Sequence, residues 1–254
     1  KARKQPKQMA TILLFAVLAA FQLAKPAYAD AANPQFLASW RTFNFAPNGF
    51  EGKLLPIENS IVRVAFEIIE NGKIADLHDK EIRWIIDGEW KKVEKGLQTY
   101  SFLASRLGGS HEEIRIQIPD YEVSPPGAST IERLQRQNQS GLDHVLKIPV
   151  VEPVAVLGSS GRNSDVLPSP SAVTLQAKPY FFNVYSQKDL RFDWTVNGGK
   201  VTGEPANPGS LKINLERPKT KSASLEVSLS VTNPKKRMEF ASGSLNFRIV
   251  PQNK

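Results

Sequence analysis

Apolar and polar residues alternate with a period of two along most of the chain after residue 30. This period places every second side chain on one face, which is typical of half-buried β-strands and not of amphipathic helices. Turn dipeptides such as Asn71-Gly72 and Asp87-Gly88 separate the alternating runs. Short strands closed by such turns predict an antiparallel β-sandwich or barrel. The runs are residues 61–68, 82–86, 114–118, 145–151, 211–215, 225–231 and 245–249.

The first 29 residues follow a different pattern. Residues 1–7 are basic, residues 10–23 are apolar and uncharged, and Ala27-Tyr28-Ala29 precedes Asp30. This order predicts a signal peptide with a small-x-small cleavage site. The apolar run ends before Lys25 and is shorter than the roughly 20 residues that a membrane span needs. An uncleaved membrane anchor and a buried core helix are the alternatives. We therefore expect an exported protein in the periplasm, at the cell surface or outside the cell, with membrane contact only through residues 1–29 if they are retained.

Composition excludes several functional classes. The 254 residues include no cysteine, which excludes disulfide frameworks, Cys-ligated zinc, iron–sulfur clusters and thiol catalysis. The formal net charge is +8, from 33 basic and 25 acidic residues. Five of the basic residues lie within residues 1–29, so the remainder carries 28 basic and 25 acidic residues, a net charge of +3. That excess is too small for dense phosphate contacts, and we predict no nucleic-acid partner.

An internal repeat predicts two domains. Trp84-Ile85-Ile86-Asp87-Gly88 aligns with Trp194-Thr195-Val196-Asn197-Gly198 at an offset of 110 residues, and the alternating run at 114–118 aligns with 225–229 at 111. Residues 146–151 align with 245–250 at an offset of 99, which requires an insertion near 122–143 in the first copy. We predict a β-sandwich at 30–155, a linker at 156–170 that is rich in Ser, Gly and Pro, and a second β-sandwich at 171–254.

The repeated pattern W-x-x-[DN]-G resembles the immunoglobulin-like and PKD-like domains of bacterial surface proteins. The resemblance implies that Trp84 and Trp194 pack in the sandwich cores and that Asp87-Gly88 and Asn197-Gly198 close the next hairpin. With the segment YFFNV at 180–184, the chain is also similar to two-domain exported proteins of small-genome bacteria. The predicted fold is all-β, with two tandem antiparallel immunoglobulin-like β-sandwiches after an N-terminal signal or anchor helix.

Three groups contain residue types that metal binding or catalysis uses. In each case a structural role is the favoured interpretation: a polar connection, a loop that leads into a strand, and solvated charges at a strand edge. A zinc site needs about four ligands, a triad needs an oxyanion hole, and adjacent strand residues point to opposite faces. We therefore predict no catalytic residue, no metal and no cofactor. The groups are Asp76, His78 and Asp79; Ser140, Asp143 and His144; and Glu112 with Glu113.

Three other features are candidate partner-binding sites. Lys235, Lys236 and Arg237 form the densest basic cluster after residue 29, in a loop between the last two strands. Trp90 follows a turn, and we expect partial burial with an exposed edge for a sugar or protein contact. The insertion contains a capping-box pattern followed by Ile131 and Leu134 on a short helix, with a disordered excursion as the alternative.

These features predict a non-catalytic cell-envelope protein that binds or scaffolds through loops and strand edges. Its partners would be other envelope proteins or an anionic envelope polymer. One alternative is a periplasmic assembly chaperone for pilus-like subunits. Against it, the sequence has no recognisable subunit-anchoring motif, and the composition of the linker predicts a flexible connection. The other alternative is a carbohydrate-binding exoprotein, which exposed aromatic residues on one sheet face would favour.

Overall fold

The computed structural model describes residues 34–122, 141–159, 165–202, 207–216, 218 and 222–251. Over these ranges the chain forms strands joined by turns and one short 3₁₀ helix, Gln187–Asp189. The all-β prediction is therefore confirmed. The signal or anchor segment at 1–29 lies outside the described residues. In the part of the chain that is described, no helix is long and apolar enough to cross a membrane.

The N-terminal sandwich contains two sheets. In the first sheet the order is β1-β2-β6, and the short strand β3 also pairs with β2. In the second sheet the order is β5-β4-β7-β8, and all of these pairings are antiparallel. The strands are β1 (Gln35–Thr42), β2 (Ile61–Glu70), β3 (Lys73–Ile74), β4 (Glu81–Ile86), β5 (Glu89–Lys95), β6 (Thr99–Leu103), β7 (His111–Ile118) and β8 (Leu142–Pro149).

The C-terminal sandwich repeats this plan. One sheet has the order β9-β11-β14, and the other has the order β13-β12-β15-β16 with β10 added in parallel beside β16. The two-sheet arrangement in both halves is that of tandem immunoglobulin-like sandwiches. The strands are β9 (Val154–Ser159), β10 (Val166–Ser169), β11 (Ser171–Tyr180), β12 (Arg191–Val196), β13 (Gly199–Lys200), β14 (Ser210–Leu215), β15 (Ala223–Asn233) and β16 (Lys236–Pro251).

Each sandwich has its own hydrophobic core, built from the alternating positions. On β2, every second residue from Val62 to Ile68 is buried, whereas Arg63 and Glu67 between them are exposed. The two cores contain different tryptophans, Trp84 in the N-terminal core and Trp194 in the C-terminal core. Removal of these apolar faces from water provides the main driving force for both sandwiches.

The two tryptophans occupy equivalent places, as the repeat predicts. Trp84 lies on β4 and Trp194 on β12, the corresponding strands of the two four-stranded arrangements. Trp84 Nε1 donates to the Leu97 carbonyl at 2.9 Å, and Trp194 Nε1 donates to the Pro208 carbonyl at 3.0 Å. Each carbonyl lies two residues before the next strand of the opposite sheet. Both indoles therefore bridge the two sheets of their sandwich.

The turns after these strands are also equivalent. Asp87 and Asn197 adopt positive φ angles of 51° and 48°, and the glycine that follows each is also left-handed. Two such residues define the type I′ turn that matches the strand twist of a tight hairpin. Asp87 Oδ1 accepts from the Glu113 backbone N–H at 3.0 Å, and Asn197 Oδ1 accepts from the Glu226 N–H at 2.9 Å. Each turn residue thus holds the start of the neighbouring strand.

Two boundaries differ from the sequence analysis. Residues 156–159 belong to β9, which pairs with β11, and residues 166–169 form β10, so the described part of the expected linker is sheet and not a free connection. Leu142 and Asp143, placed in the insertion, belong to β8. The ends of the insertion are joined, because Gly141 N donates to the Tyr121 carbonyl at 3.1 Å. Ile131 and Leu134 lie outside the described residues.

Candidate binding site at the junction of the two sandwiches

Backbone hydrogen bonds connect the two sandwiches directly. Phe45 N donates to the Phe182 carbonyl at 2.8 Å, and Phe181 N donates to the Phe45 carbonyl at 2.7 Å. Phe181 adopts a positive φ of 67°, which is costly for a bulky residue and persists only where its surroundings fix it. The ring of Phe50 lies 5.5 Å from that of Tyr180 and 6.1 Å from that of Phe181. The segment at 180–184 therefore forms the joint.

A polar network surrounds this joint, and Asn183 is its centre. Its Oδ1 accepts from Ser60 Oγ at 2.8 Å and from Asn44 Nδ2 at 3.3 Å. Its Nδ2 donates to the Glu58 carbonyl at 3.0 Å and to Glu239 Oε2 at 3.3 Å. Asn44 Nδ2 also donates to the strained Phe181 carbonyl at 2.7 Å. We call these residues, with Asn233, the junction network.

The junction network fixes how the two sandwiches meet. Asn44, Ser60, Asn233 and Glu239 are all buried. Glu239 Oε1 accepts from the Asn183 N–H and from Asn233 Nδ2, so the buried carboxylate is held from both sides. Buried polar groups specify one arrangement when all of them are satisfied. The expectation of a flexible connection is therefore wrong, because the residues that join the sandwiches lie outside the segment from which it was inferred.

A bulge in β16 orients the residues around Glu239. Thr232 pairs with Phe240 and the next residue, Asn233, pairs with Lys236, so three residues of β16 have no partner on β15. Such bulges re-aim side chains and are common beside functional sites. Here Glu239 points into the junction network, whereas Arg237 and Met238 point outward. Met238 is 85% exposed, an unusual position for a large apolar side chain.

These residues form one wall of a cleft of about 310 Å³ between the sandwiches. We call it the junction cleft. The exposed side chains of Leu107 and Met238 face it from opposite sandwiches, and Leu107 is 68% exposed. Lys236 and Arg237 contribute positive charge on the C-terminal side, and Glu58 and Glu152 contribute negative charge on the N-terminal side. The cleft is lined by residues 57–59, 107–108, 151–153 and 236–239.

A buried carboxylate supports the loop that forms the N-terminal wall. Glu112 is fully buried, and its Oε1 accepts from the backbone N–H groups of Ser105 and Arg106 at 2.6 and 2.8 Å. Leu107 and Gly108 follow directly in this loop. The expectation that Glu112 is a solvated edge charge is wrong, because β7 turns this residue toward the core. Glu113 faces the other way, so the two carboxylates do not share a site.

Glu112 lies beside a second carboxylate, Asp87. Burial, followed by a hydrogen bond with Asp87, raises the pKa of Glu112 above its usual range. Burial alone would raise the pKa of Asp87 too, but hydrogen bonds from Arg106, Glu112 and the Glu113 backbone lower it. Arg106 Nε donates to Asp87 Oδ2 at 2.9 Å. The strand register makes Asn197 and Leu225 the corresponding residues of the C-terminal sandwich, which corrects the sequence alignment of 114 with 225 by two residues. The hairpin itself therefore does not require this acid pair.

Replacing Glu112 with Gln should flatten the dependence of stability on pH. A carboxyl with a raised folded pKa stabilises fully below its unfolded pKa of about 4.5, and the contribution is lost as pH rises through the folded value. We expect wild-type stability to fall in that window by at most about 1.4 kcal/mol per pH unit for one proton. Urea unfolding at pH 4.5, 6.0 and 7.5 measures this. Glu113→Gln should keep the wild-type slope, and equal slopes in all three proteins would refute the assignment.

The other candidate groups have structural roles. His78 is exposed, its backbone N–H donates to Asp76 Oδ1 at 3.0 Å, and its Nδ1 lies 3.1 Å from Asp79 Oδ1. Within the described ranges, no group of three or more His, Asp or Glu side chains is arranged to hold a metal ion. His144 stacks on Phe36 with ring centroids 4.0 Å apart. Asp143 lies on the opposite face of β8, where it accepts from Gln117, and Ser140 lies outside the described residues.

The predicted binding residues occupy two different surfaces. Lys235, Lys236 and Arg237 are exposed in the hairpin between β15 and β16, beside the junction cleft. Trp90 is 58% exposed on the edge strand β5, with Arg83 Cζ 5.5 Å from its ring centroid. The expectation of partial burial is wrong for Trp90, because β5 is exposed along its whole length. Its indole therefore stands on the open face of the sheet.

Sequence reasoning missed the junction network. The sequence marks the segment at 180–184 only through a resemblance, and the strand before it, β11, is not among the predicted alternating runs. Asn44 carried no sequence signal, because a single asparagine after a strand is ordinary turn chemistry. The pairing of residues 137 or more positions apart, such as Asn44 with Phe181, follows only from the fold.

Comparisons with known proteins add little to this description. No protein-family model matches the sequence, and no curated relative is detected. The fibronectin(III)-like modules of Clostridium thermocellum CbhA are similar at 8% identity and a TM-score of 0.26, over 85% of this chain and 94% of theirs. Three N-terminal domains of the bacteriophage RB49 outer capsid protein Hoc are similar at 10% identity and a TM-score of 0.39, over 85% of this chain and 59% of theirs. TM-scores this low identify no common topology, so the fold assignment rests on the strand order and the two cores.

Proposed function

We propose that this chain is an exported, non-catalytic envelope protein that binds a partner protein at the junction cleft. Residues 1–29 carry the basic, apolar and small-residue segments of an export signal, which supports localisation outside the cytoplasm. We also propose that its sandwiches are PKD-like and that it is related to the two-domain exported proteins of small-genome bacteria that it resembles.

The observation that carries the binding role is the exposure of Met238 and Leu107 across a fixed joint. The bulge in β16 holds Met238 out of the core, and the junction network keeps the facing wall in place. Apolar side chains that lie in a preformed cleft with charged residues at its margin are typical of contact sites between proteins. A rigid joint also lowers the entropic cost of binding, because the cleft needs no ordering when the partner arrives.

The candidate catalytic groups support a non-catalytic role. Glu112 accepts two backbone hydrogen bonds, Asp87 holds a turn, and His144 stacks on Phe36. Each of these side chains has a structural partner that accounts for its position.

The structure bears differently on the two alternative functions, an assembly chaperone and a carbohydrate-binding protein. Of the two objections to an assembly chaperone, the fixed joint answers the flexible linker, and the lack of a recognisable subunit-anchoring motif in the sequence stands. Carbohydrate binding is a second candidate, which the exposure of Trp90 on an open sheet face favours. An indole face stacks on the apolar face of a sugar ring, and Arg83 beside it offers hydrogen-bond donors.

A photo-reactive residue at Met238 should capture the partner in the native cells. We expect one discrete crosslinked species, because the side chain lies within the proposed contact. The matched control is a photo-reactive residue at Ser242, which is exposed on the same strand but lies outside the cleft lining. Mass spectrometry of the product identifies the partner, and the intact mass of the uncrosslinked chain tests loss of residues 1–29. Crosslinking at both positions alike, or at neither, would contradict the proposal.

A further inference from the structure

Two arginines lie directly opposite each other on the outer face of the sheet β1-β2-β6. Arg41 on β1 pairs with Arg63 on β2, and Arg63 pairs in turn with Ser101 on β6. The Arg63 Nε donates to Ser101 Oγ at 3.3 Å. The buried neighbours Val62 and Val64 face the core, so both guanidinium groups face solvent. We call these three residues the arginine row.

The arginine row has no partner of opposite charge in the described ion pairs, and Arg41 Cζ lies 5.3 Å from the centroid of the exposed Phe43 ring. Among the described residues, none of the ion pairs involves Arg41 or Arg63. Like charges directly opposite each other destabilise a sheet. The nearest carboxylate on the same face of β2 is Glu67, four residues away and about 13 Å along an extended strand. Such a pair is therefore unfavourable in the free protein, and an anion would remove the repulsion.

The surface beside the arginine row has room for such an anion. Ser39, Ala65 and Thr99 are in register across the three strands, and their small side chains form the floor of a depression. The depression measures about 480 Å³ and is lined by Ser39, Trp40, Arg41, Arg63, Ala65 and Thr99. This lining contains two guanidinium groups and two hydroxyls but no carboxylate.

We propose that the arginine row and this depression bind a linear phosphate polymer. Guanidinium groups donate in a planar fork that matches phosphate oxygens, and the Ser39 and Thr99 hydroxyls can donate to the remaining oxygens. Residues that face each other on neighbouring strands lie about 5 Å apart, so two guanidinium groups can contact successive phosphates of one chain. A carboxylate also presents two oxygens to a guanidinium fork, so a carboxylate polymer is the comparison that separates phosphate recognition from charge alone. The site is separate from the junction cleft and depends on the proposed function only in expecting an envelope polymer.

The test uses the full chain and three probes: inorganic polyphosphate, polyglutamate of similar length, and orthophosphate. We expect polyphosphate to bind most tightly and its affinity to fall as salt rises. The double variant Arg41→Gln/Arg63→Gln should lose about tenfold or more in affinity for polyphosphate, because two charge-assisted contacts are removed. It should also show an unchanged or raised thermal midpoint, since the like-charge pair is gone.

The matched control is Lys178→Gln/Lys212→Gln, which removes two exposed cations on β11 and β14 of the C-terminal sandwich that line neither proposed site. Its affinity for polyphosphate should stay within about twofold of wild type, since screening weakens the effect of distant charges. Equal losses in both double variants would show that net charge alone binds the polymer, and would overturn the proposal. Equal binding of polyglutamate, or no binding of polyphosphate by the wild-type chain, would also overturn it. None of these results bears on the crosslink at Met238, which tests the junction cleft separately.

Discussion

Replacing Trp84 with alanine is expected to lower the free energy of unfolding by about 3–5 kcal/mol. Trp84 is fully buried, packs against the rings of Phe66 and Tyr100, and bridges the sheets through its bond to the Leu97 carbonyl. Alanine would leave a large cavity and an unsatisfied buried carbonyl. Urea unfolding followed by circular dichroism measures the loss. A loss of this size is a large share of the 5–15 kcal/mol that typically stabilises a domain.

Trp90 provides the matched control for this prediction. Trp90→Ala removes the same side chain from an exposed position on the neighbouring strand, and we expect a change within about 0.5 kcal/mol. The loss in free energy of unfolding for Trp84→Phe should lie between those two values, because phenylalanine keeps an apolar ring but lacks the indole N–H. If Trp84→Ala and Trp90→Ala cost the same, Trp84 would not be the centre of the N-terminal core.

Replacing Asn183 with alanine is expected to release the fixed orientation of the two sandwiches. The substitution removes the acceptor of the Ser60 hydroxyl and the donor to Glu239 Oε2, both on buried residues, together with the donor to the Glu58 carbonyl. Groups left unsatisfied in this way cost about 1–3 kcal/mol each. We expect the chain to relieve this cost by separating the sandwiches, which the remaining Phe45 backbone bonds and Phe50 ring contacts oppose. Small-angle X-ray scattering should show a broader distance distribution and a larger radius of gyration.

Asn246→Ala is the matched control, since Asn246 is exposed on β16 away from the junction. Its scattering curve and stability should equal those of the wild type. The unfolding midpoints of the two sandwiches distinguish a loosened joint from a damaged core. Only a damaged core is expected to lower them. A scattering curve that is unchanged in Asn183→Ala would show that the aromatic contacts of Phe50 and the backbone bridge suffice to hold the joint.

Most of the fold follows from local pattern. The alternation in 61–68 and 114–118 predicts strands with one buried face, and the structure buries those faces. The repeat predicts equivalent roles for Trp84 and Trp194, and both indoles donate to equivalent carbonyls. These predictions succeed because a period of two and a type I′ turn act over a few residues, where sequence neighbours are also spatial neighbours.

Other predictions failed where burial depends on a distant segment. Glu112 looks like an edge charge, but the loop at 104–110 folds over it and supplies two N–H donors. The segment at 156–159 is rich in Ser and Gly, yet it is a strand because β11 offers an edge for pairing. Partial burial was expected for Trp90, but β5 is an edge strand whose residues are all exposed in the described part of the structure.

The sequence by itself determined the strands with alternating residues (β2, β4, β7, β8, β14, β15 and β16), the turns and the division into two similar sandwiches. These depend on residue alternation and on the backbone preferences of Asp-Gly and Asn-Gly. Only the tertiary structure decided which polar residues meet. Asn44, Ser60, Asn183 and Glu239 come from four separate segments, and Arg41 faces Arg63 only through the register of β1 on β2. Hydrogen bonds and charge pairs act over a few ångströms in space, and no local pattern fixes those distances.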